Sequence, residues 1–250
     1  MPSSHVDIPT PDGIADAYVS EPGGGGRAPG VLLLQDGFGL RLRLEEMADR
    51  IAGEGYAVLV PNLLYRSGRA PLFPMPDMTE PGSRAAFLET LRPMVDLLTP
   101  ERMATDGAAY LDALATISDG GPIGITGYCM GVRVGWRIAT AFPDRVAALA
   151  GFHGGYLVTD QPDSSHRSAV DLHAEVYFGH ADHDPSMTAA DIEVLDAALD
   201  AAGVTHTSEV YEGASHGYTM SDTPVYDEAA AERHFAALFA LLERTVAREP

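Results

Sequence analysis

The sequence contains no lysine and a single cysteine, Cys129. One cysteine excludes an internal disulfide and is typical of a reducing compartment, so we expect a cytoplasmic protein. No apolar run approaches the length of a membrane span, and the opening residues MPSSH have neither the basic nor the apolar region of a secretory signal. We therefore expect a soluble protein that does not enter a membrane.

Positive charge is also scarce. The chain has 16 basic residues, all of them Arg, against 36 acidic residues, which gives a formal net charge of −20. Such a surface repels nucleic-acid backbones and anionic membranes. The composition therefore argues against nucleic acid as a partner.

Apolar runs alternate with segments of helical spacing along most of the chain. A length of 250 residues, 46% of them hydrophobic, suits one α/β domain or two small ones. The alternation predicts one α/β domain over 1–250, built on a doubly wound, mostly parallel sheet of about eight strands with flanking helices. Predicted strands are 6–9, 14–20, 31–34, 56–60, 122–126, 146–152, 175–179 and 206–211. Predicted helices are 40–52, 84–91, 101–117, 132–141, 189–202 and 225–244.

Residues 62–100 break this pattern. The segment contains six prolines, counting Pro100 at its end, so we expect no continuous regular structure apart from the short helix 84–91. A long irregular segment after a strand end is usually an active-site cover and seldom a linker. We therefore expect 62–100 to form a cover over a functional site.

The sequence Gly127-Tyr128-Cys129-Met130-Gly131 lies between a predicted strand and a predicted helix. Strand, tight glycine turn and helix form the setting of a nucleophile elbow, in which the flanking glycines allow a strained backbone. Cys129 is the candidate nucleophile. The alternative is a buried small hydrophobic residue, because free cysteine is often buried.

Two further side chains follow predicted strands at the same edge of the sheet. Asp182 follows the strand 175–179, and His216 lies in the loop after the last strand. The order nucleophile, acid, histidine is that of α/β hydrolases. His216 would take the thiol proton and Asp182 would orient the imidazole. Asp184 is the alternative acid, but Asp182 is nearer the strand end, and either carboxylate could instead cap the loop.

The loop that carries Asp182 is rich in possible metal ligands. His180, Asp182, His183 and Asp184 are nearly consecutive. Adjacent residues of one loop seldom converge on one ion, and no second cluster with ligand spacing supports a metal site. We expect neither a metal nor another cofactor.

An acyl-transfer site also needs donors for an oxyanion. The backbone N–H of Met130, directly after the nucleophile, and that of Gly37, after the strand 31–34, are the candidates. Asp36 lies beside this loop and either faces the thiol, where its charge would oppose a thiolate, or caps a turn. His153 follows a strand and either lines the pocket or packs in the core.

These motifs together resemble the dienelactone hydrolase family of α/β hydrolases over about 6–242. The resemblance implies a Cys-Asp-His triad that hydrolyses a small ester or lactone through a thioacyl intermediate, and it suggests Phe38 and Tyr128 as pocket residues. In well-known members a glutamate binds the resting thiol until substrate releases it; Asp36 occupies that position and is one methylene shorter. The matching motifs are Gln35-Asp36-Gly37-Phe38-Gly39, Gly127 to Gly131, Gly179-x-x-Asp182 and Tyr211-x-x-Ala214-x-His216-Gly217.

Members that act on dienelactone carboxylates clamp the substrate with arginines, one of them four residues after the histidine. Met220 occupies that position here, and the other arginine could correspond to Arg84, although the Pro-rich segment is too irregular to align. A thioether cannot replace a bidentate arginine, so we expect a less anionic or more apolar acyl group. The alternative functions are a non-catalytic binding or scaffold protein and a thiol redox protein. The last lacks a resolving cysteine. Either a monomer or a homodimer is expected.

Overall fold

A computed structural model describes residues 2–24 and 26–246. The predicted domain covers 1–250, so Met1, Gly25 of the glycine-rich loop and the last residues, 247–250, lie outside the described residues.

The described residues contain one eight-stranded sheet with the spatial order β1-β2-β4-β3-β5-β6-β7-β8. Strands β1 and β2 form an antiparallel hairpin, and β2 also pairs antiparallel with β4. The remaining neighbours, from β4 through β8, are parallel. The strands are β1 (Ser3–Thr10), β2 (Gly13–Ser20), β3 (Gly30–Leu34), β4 (Ala57–Pro61), β5 (Ile123–Tyr128), β6 (Val146–Phe152), β7 (Glu175–Ala181) and β8 (His206–Tyr211).

Six α-helices within the described residues cover both faces of this sheet. An apolar core lies on each face, because alternate residues of a buried strand point to opposite sides. In β3, Leu32 and Leu34 pack in one core, whereas Val31 and Leu33 pack in the other. The helices are α1 (Leu42–Gly53), α2 (Ser83–Val95), α3 (Pro100–Ile117), α4 (Met130–Ala141), α5 (Ala189–Ala202) and α6 (Glu228–Thr245).

This architecture confirms the predicted fold class, a mostly parallel sheet with helices on both faces. The observed strand ends differ from the predicted ones at the carboxyl ends of two strands. Strands β5 and β7 each end two residues later than predicted, at Tyr128 and Ala181. The apolar pattern stops earlier because glycine and polar residues continue both strands.

Residues 62–100 are mostly irregular, with a 3-10 turn at Tyr65–Ser67, and α2 is longer than the predicted helix 84–91. Helix α2 continues through Pro93 to Val95. Proline removes one helical hydrogen bond without ending the helix here, so proline alone was an incorrect stop signal.

Buried polar contacts hold the start of this segment. The side-chain amide of Asn62 donates to Asp16 at 3.0 Å, and the backbone N–H of Ala70 donates to the other oxygen of Asp16 at 2.8 Å. Arg66 makes a bidentate pair with Asp106 of α3, with N–O distances of 2.7 and 3.0 Å. The segment therefore leaves β4 along a fixed path. Along 2–24 and 26–246, no helix combines the length and apolar character needed to cross a bilayer.

Candidate active site

Cys129 occupies the turn between β5 and α4. Its backbone has φ 53° and ψ −116°, a conformation that a residue with a side chain adopts only when its surroundings impose it. The residue is partly exposed and lines a cleft at the carboxyl ends of the strands. The sequence prediction of a strained elbow at this position agrees with the geometry.

The two flanking glycines are required by backbone contacts. A Cβ on Gly127 would lie 2.7 Å from the carbonyl carbon and oxygen of Gly131. A Cβ on Gly131 would lie 2.4 Å from the carbonyl oxygen of Leu34, at the end of β3. Neither backbone can yield easily, so α4 can approach β3 and β5 only with glycine at both positions.

His216 and Cys129 line the same cleft, and the interaction of the two side chains raises the pKa of His216. On its other side, His216 Nδ1 lies 2.5 Å from Asp184 Oδ2. Asp184 is itself oriented by Ser186, whose backbone N–H and hydroxyl donate to Oδ1 at 2.9 and 2.7 Å. The imidazole thus joins the thiol to a buried carboxylate.

The acid that contacts the histidine is Asp184, and the expectation that Asp182 would do so is wrong. Asp182 follows the last residue of β7 directly, and its Oδ2 accepts the backbone N–H of Gly213 at 2.9 Å. His183 then adopts a positive φ of 51°, which turns the chain so that Asp184 faces His216. Asp182 therefore ties two loops together, a role the sequence analysis gave as its alternative.

The electrostatics of this arrangement favour a charged imidazole. Burial lowers the pKa of His216, but Cys129 and Asp184 outweigh it and raise the pKa to about 10. Burial raises the pKa of Asp184, yet the hydrogen bond and charge of His216 hold that pKa below its ordinary value. The site therefore favours an imidazolium at His216 and a carboxylate at Asp184.

The cleft has a volume of about 150 Å³ and is mostly apolar. Its floor is formed by loops at the sheet edge, and its cover is formed by α2. Of the predicted pocket residues, Asp36, Gly37, Phe38, His153 and Met220 line it. From the cover come Met78, Arg84, Phe87, Leu88 and Leu91. Sequence analysis identified the cover as a segment, but apart from Arg84 it did not identify these side chains.

Tyr128 does not line the cleft, contrary to expectation. It is the last residue of β5 and is fully buried in the core that contains α6, where its hydroxyl lies 3.2 Å from His234 Nε2. Because β5 extends to Tyr128, the side chain alternates to the face opposite the cleft. Its role is in packing.

The two predicted oxyanion donors lie on either side of the nucleophile. Met130 is the first residue of α4. The N–H groups in the first turn of a helix have no acceptor within the helix, so the N–H of Met130 is free to donate elsewhere. Gly37 lines the cleft, and a Cβ on it would lie 2.7 Å from Leu91 of the cover. Glycine therefore also lets α2 close over this loop.

Asp36 is buried and its carboxylate is bound by Arg41. The guanidinium donates to Oδ1 at 2.7 Å and to Oδ2 at 3.1 Å, and the N–H of Phe38 donates to Oδ1 at 3.0 Å. Both oxygens are thus engaged away from the thiol. The geometry supports the turn-capping alternative and gives Asp36 a partner that the sequence analysis missed.

His153 is buried at the cleft wall with a positive φ of 39°. Its Nε2 lies 2.8 Å from the hydroxyl of Thr219, and its ring meets that of His216 edge-on at 5.2 Å. Burial lowers the pKa of His153 well below its ordinary value, so the ring is neutral near pH 7. Within residues 2–24 and 26–246, no group of three or more His, Cys, Asp or Glu side chains is arranged to hold a metal ion.

The sequence matches the dienelactone hydrolase family over residues 15–246. The chain belongs to the dienelactone hydrolase family. A protein of Methylorubrum extorquens named "Putative carboxymethylenebutenolidase" is 28% identical over 92% of this chain and 77% of its own length. A protein of Salmonella typhi with the same name is 28% identical over 93% of this chain and 81% of its own length.

Solved structures show the same fold. A crystal structure titled as a "Putative Dienelactone Hydrolase" from Klebsiella pneumoniae superimposes with a TM-score of 0.84 over 97% of this chain and 98% of that chain, at 24% identity. The α/β-hydrolase fold is also found in a domain of the Pyrococcus horikoshii acylaminoacyl peptidase, with a TM-score of 0.70 at 16% identity. The family identifies the chain as a hydrolase of the dienelactone hydrolase type.

Proposed function

We propose that this hydrolase cleaves a small ester or lactone with Cys129 as nucleophile, His216 as general base and acid, and Asp184 as the orienting carboxylate. One observation carries the proposal: His216 lines the cleft together with Cys129, and its Nδ1 is hydrogen-bonded to the buried carboxylate of Asp184. The strained elbow presents the sulfur to the cleft, and the first turn of α4 favours negative charge there.

The reaction proceeds in two acyl transfers. The proton of Cys129 passes to His216, and the thiolate attacks the acyl carbon to give a tetrahedral oxyanion. His216 then returns the proton to the leaving oxygen as the C–O bond breaks, which leaves a thioester on Cys129. Water attacks the thioester while His216 takes its proton, and the acid departs as the proton returns to the thiolate.

The backbone N–H groups of Met130 and Gly37 are the proposed donors to the oxyanion. They flank Cys129 on α4 and on the loop after β3, and backbone donors need no reorganisation during the reaction. The close fit of Leu91 against Gly37 supports a fixed position for that loop.

The lining of the cleft supports a small, weakly charged acyl group as substrate. Phe38, Phe87, Leu91 and Met220 supply apolar surface, and Arg84 stands at the exposed face of α2. With Met220 buried in the wall, one arginine of a two-arginine clamp is missing. Among p-nitrophenyl esters, short uncharged acyl chains should give the highest kcat/KM, and cis-dienelactone should be a weak substrate. A kcat/KM for dienelactone near the diffusion limit would contradict this choice.

Hydrolysis of p-nitrophenyl acetate tests the catalytic assignment. Cys129→Ala and His216→Ala should lower kcat/KM at least about hundredfold, since each removes an essential member of the unit. Asp184→Asn should lower it about tenfold or more, because the imidazole loses its anionic partner. Asp182→Asn is the matched control and should stay within about threefold of the parent, since Asp182 lies outside the hydrogen-bonded chain.

Two results would contradict the proposal. Equal slow rates in the parent, Cys129→Ala and His216→Ala would leave the non-catalytic binding protein as the better reading. Equal losses in Asp184→Asn and Asp182→Asn would remove Asp184 from its proposed role. Mass spectrometry after rapid acid quenching gives a direct check, because the parent should carry an acetyl group on the peptide that contains Cys129.

A further inference from the structure

Arg41 lies just before α1 and uses every N–H donor of its guanidinium. Nη1 donates to Asp36 Oδ1 at 2.7 Å and to the carbonyl oxygen of Gly39 at 3.1 Å. Nη2 donates to Asp36 Oδ2 and Asp222 Oδ1, each at 3.1 Å, and Nε donates to Asp222 Oδ2 at 2.6 Å. Guanidinium has five donors, so the group is fully satisfied.

This cation is buried, and the carboxylate of Asp36 that it binds lines the same cleft as the nucleophile. The side chains of Arg41 and Asp36 are only 11% and 5% exposed. Strands β3 and β5 are adjacent and parallel, with Leu34 opposite Gly127. Asp36 lies two residues after Leu34, and Cys129 lies two residues after Gly127. Both residues line the same cleft. A carboxylate and a candidate thiolate therefore occupy neighbouring strand ends.

We propose that Arg41 is a positioning residue of this site: its positive charge, shared between Asp36 and Asp222, offsets the charge of Asp36 so that a thiolate can form at Cys129, and it ties the loop of Gly37 to the loop after His216 through Asp222. The inference rests on the proposed role of Cys129 as nucleophile. It gives Asp36 a permanent partner within the protein, so release of the thiol does not require substrate to displace a carboxylate.

The charged groups around Cys129 come from several loops and from α2, and Asp222 belongs to the same cluster as Asp36 and Arg41. His216 and Asp184 form the hydrogen-bonded chain from the loops after β8 and β7. His153, after β6, is neutral, and Arg84 of α2 stands at the exposed face of the cleft. Asp36 is the buried carboxyl nearest in register to the sulfur outside that chain; burial raises its pKa, and the charge and hydrogen bonds of Arg41 act in the opposite direction to favour its ionised form. Without Arg41 its charge would oppose the thiolate at low local dielectric.

Alkylation of Cys129 by iodoacetamide measures thiolate formation directly, because the chain has a single cysteine. The pH midpoint of the alkylation rate should rise by about one pH unit or more in Arg41→Met, since a like charge nearby disfavours the thiolate. The midpoint should fall below that of the parent in Asp36→Asn. The double variant Arg41→Met/Asp36→Asn should return to the parent midpoint or below it.

Ester hydrolysis gives a second readout. At a pH below the midpoint, Arg41→Met should lose about tenfold in kcat/KM, and Asp36→Asn in the same chain should restore most of that loss. Arg50→Met is the matched control, because Arg50 of α1 pairs with Glu232 at an exposed position remote from the cleft. It should leave both the midpoint and the rate unchanged.

An unchanged midpoint in both Arg41→Met and Asp36→Asn would overturn the inference. So would a midpoint raised equally in Arg41→Met and in the double variant, because the arginine would then act only through loop structure. If Arg41→Met does not fold, the pH midpoint of alkylation in Asp36→Asn tests the inference by itself. Failure of the proposed function is distinguishable, because there Cys129→Ala would hydrolyse the ester as fast as the parent.

Discussion

The backbone conformation of Cys129 depends on two glycines, Gly127 and Gly131. Its positive φ is imposed by a turn in which the start of α4 lies against the backbone of β3. The contact at Gly131 is the tighter one, since its partner atoms are the carbonyl oxygens of Leu34 and Gln35. Backbone atoms at the end of a central strand cannot move aside as a flexible side chain would.

Gly131→Ala should therefore destabilise the whole fold. We expect a loss of about 3 kcal/mol or more in the free energy of unfolding, because the added methyl group overlaps backbone and forces α4 away from β3. Urea unfolding followed by circular dichroism measures it. Gly26→Ala is the control, since nothing lies within 4 Å of a Cβ there, and its effect should stay within about 0.5 kcal/mol. Equal effects at both positions would refute the packing argument.

Some site residues could be identified from the sequence and others could not, and the reason is physical. Cys129 and His216 follow strands whose glycine-containing motifs define their places. Asp184 could not be distinguished from Asp182, because the outcome depends on where β7 ends and on the positive φ of His183. Tyr128 was misplaced for the related reason that β5 runs to that residue. Strand ends made of glycine and polar residues carry no apolar signal.

Arg41 was missed because its local sequence does not indicate that Asp222, distant along the chain, binds the same guanidinium as the nearby Asp36. Its acceptors Asp36 and Asp222 come from loops after β3 and after β8. Only the folded sheet brings these loops together. A sequence motif covers residues within one loop, whereas the cluster of Arg41, Asp36 and Asp222 joins two loops.

Among the elements, the cover segment is fixed most firmly where it meets α3. Asp106 is buried and accepts from both terminal nitrogens of Arg66 and from the hydroxyl of Tyr65 at 3.0 Å. Arg66 also reaches Asp12 in the β1–β2 turn at 2.9 Å. One buried arginine therefore joins the cover, the hairpin and a central helix.

Asp106→Asn should destabilise the protein by about 3 kcal/mol, because it leaves Arg66 buried with less compensating charge. Asp112→Asn on the same helix is the matched control. Asp112 pairs with Arg145 at 2.8 Å, but its side chain is 74% exposed, so its loss should cost about 0.5 kcal/mol or less. Urea midpoints at equal m-values give the comparison, and equal destabilisation would show that burial does not decide the outcome.

The architecture of the whole molecule was predictable because it rests on patterns that span many residues. Eight apolar strands and the order of the helices could be read from periodicity, and all eight strands are present. The path of 62–100 could not be read in the same way. Its course depends on Asp16, Asn62, Arg66 and Asp106, which are polar contacts over long separations in sequence.

Several buried histidines make the stability of the molecule depend on pH. Burial lowers the pKa of His180 to about 4 and that of His234 to about 3. The unfolded chain binds protons at these positions below about pH 6.5, whereas the folded protein does not. Stability should therefore fall as the pH drops from 6.5 to 4.5. His216, with a raised pKa, acts in the opposite sense and above this window.

His180→Asn should flatten this pH dependence. Removing one such histidine should reduce the slope by up to about 1.4 kcal/mol per pH unit between pH 6.5 and 4.5. The measurement is the free energy of unfolding in urea at several pH values. His173→Asn is the control, because that side chain is 62% exposed, and its slope should match the parent. An unchanged slope in His180→Asn would contradict the prediction.

The separate anchoring of the cover has a consequence for engineering. Asp16 holds the chain at Ala70, and α3 begins at Pro100 beneath a Thr99 cap. Between these points, 71–98 supplies apolar wall to the cleft, whereas Cys129, His216 and Asp184 all lie outside it. Apart from Leu91, which packs against Gly37, that stretch can be exchanged or randomised as a cassette. A library confined to it would change which acyl groups are accepted and leave Cys129, His216 and Asp184 in place.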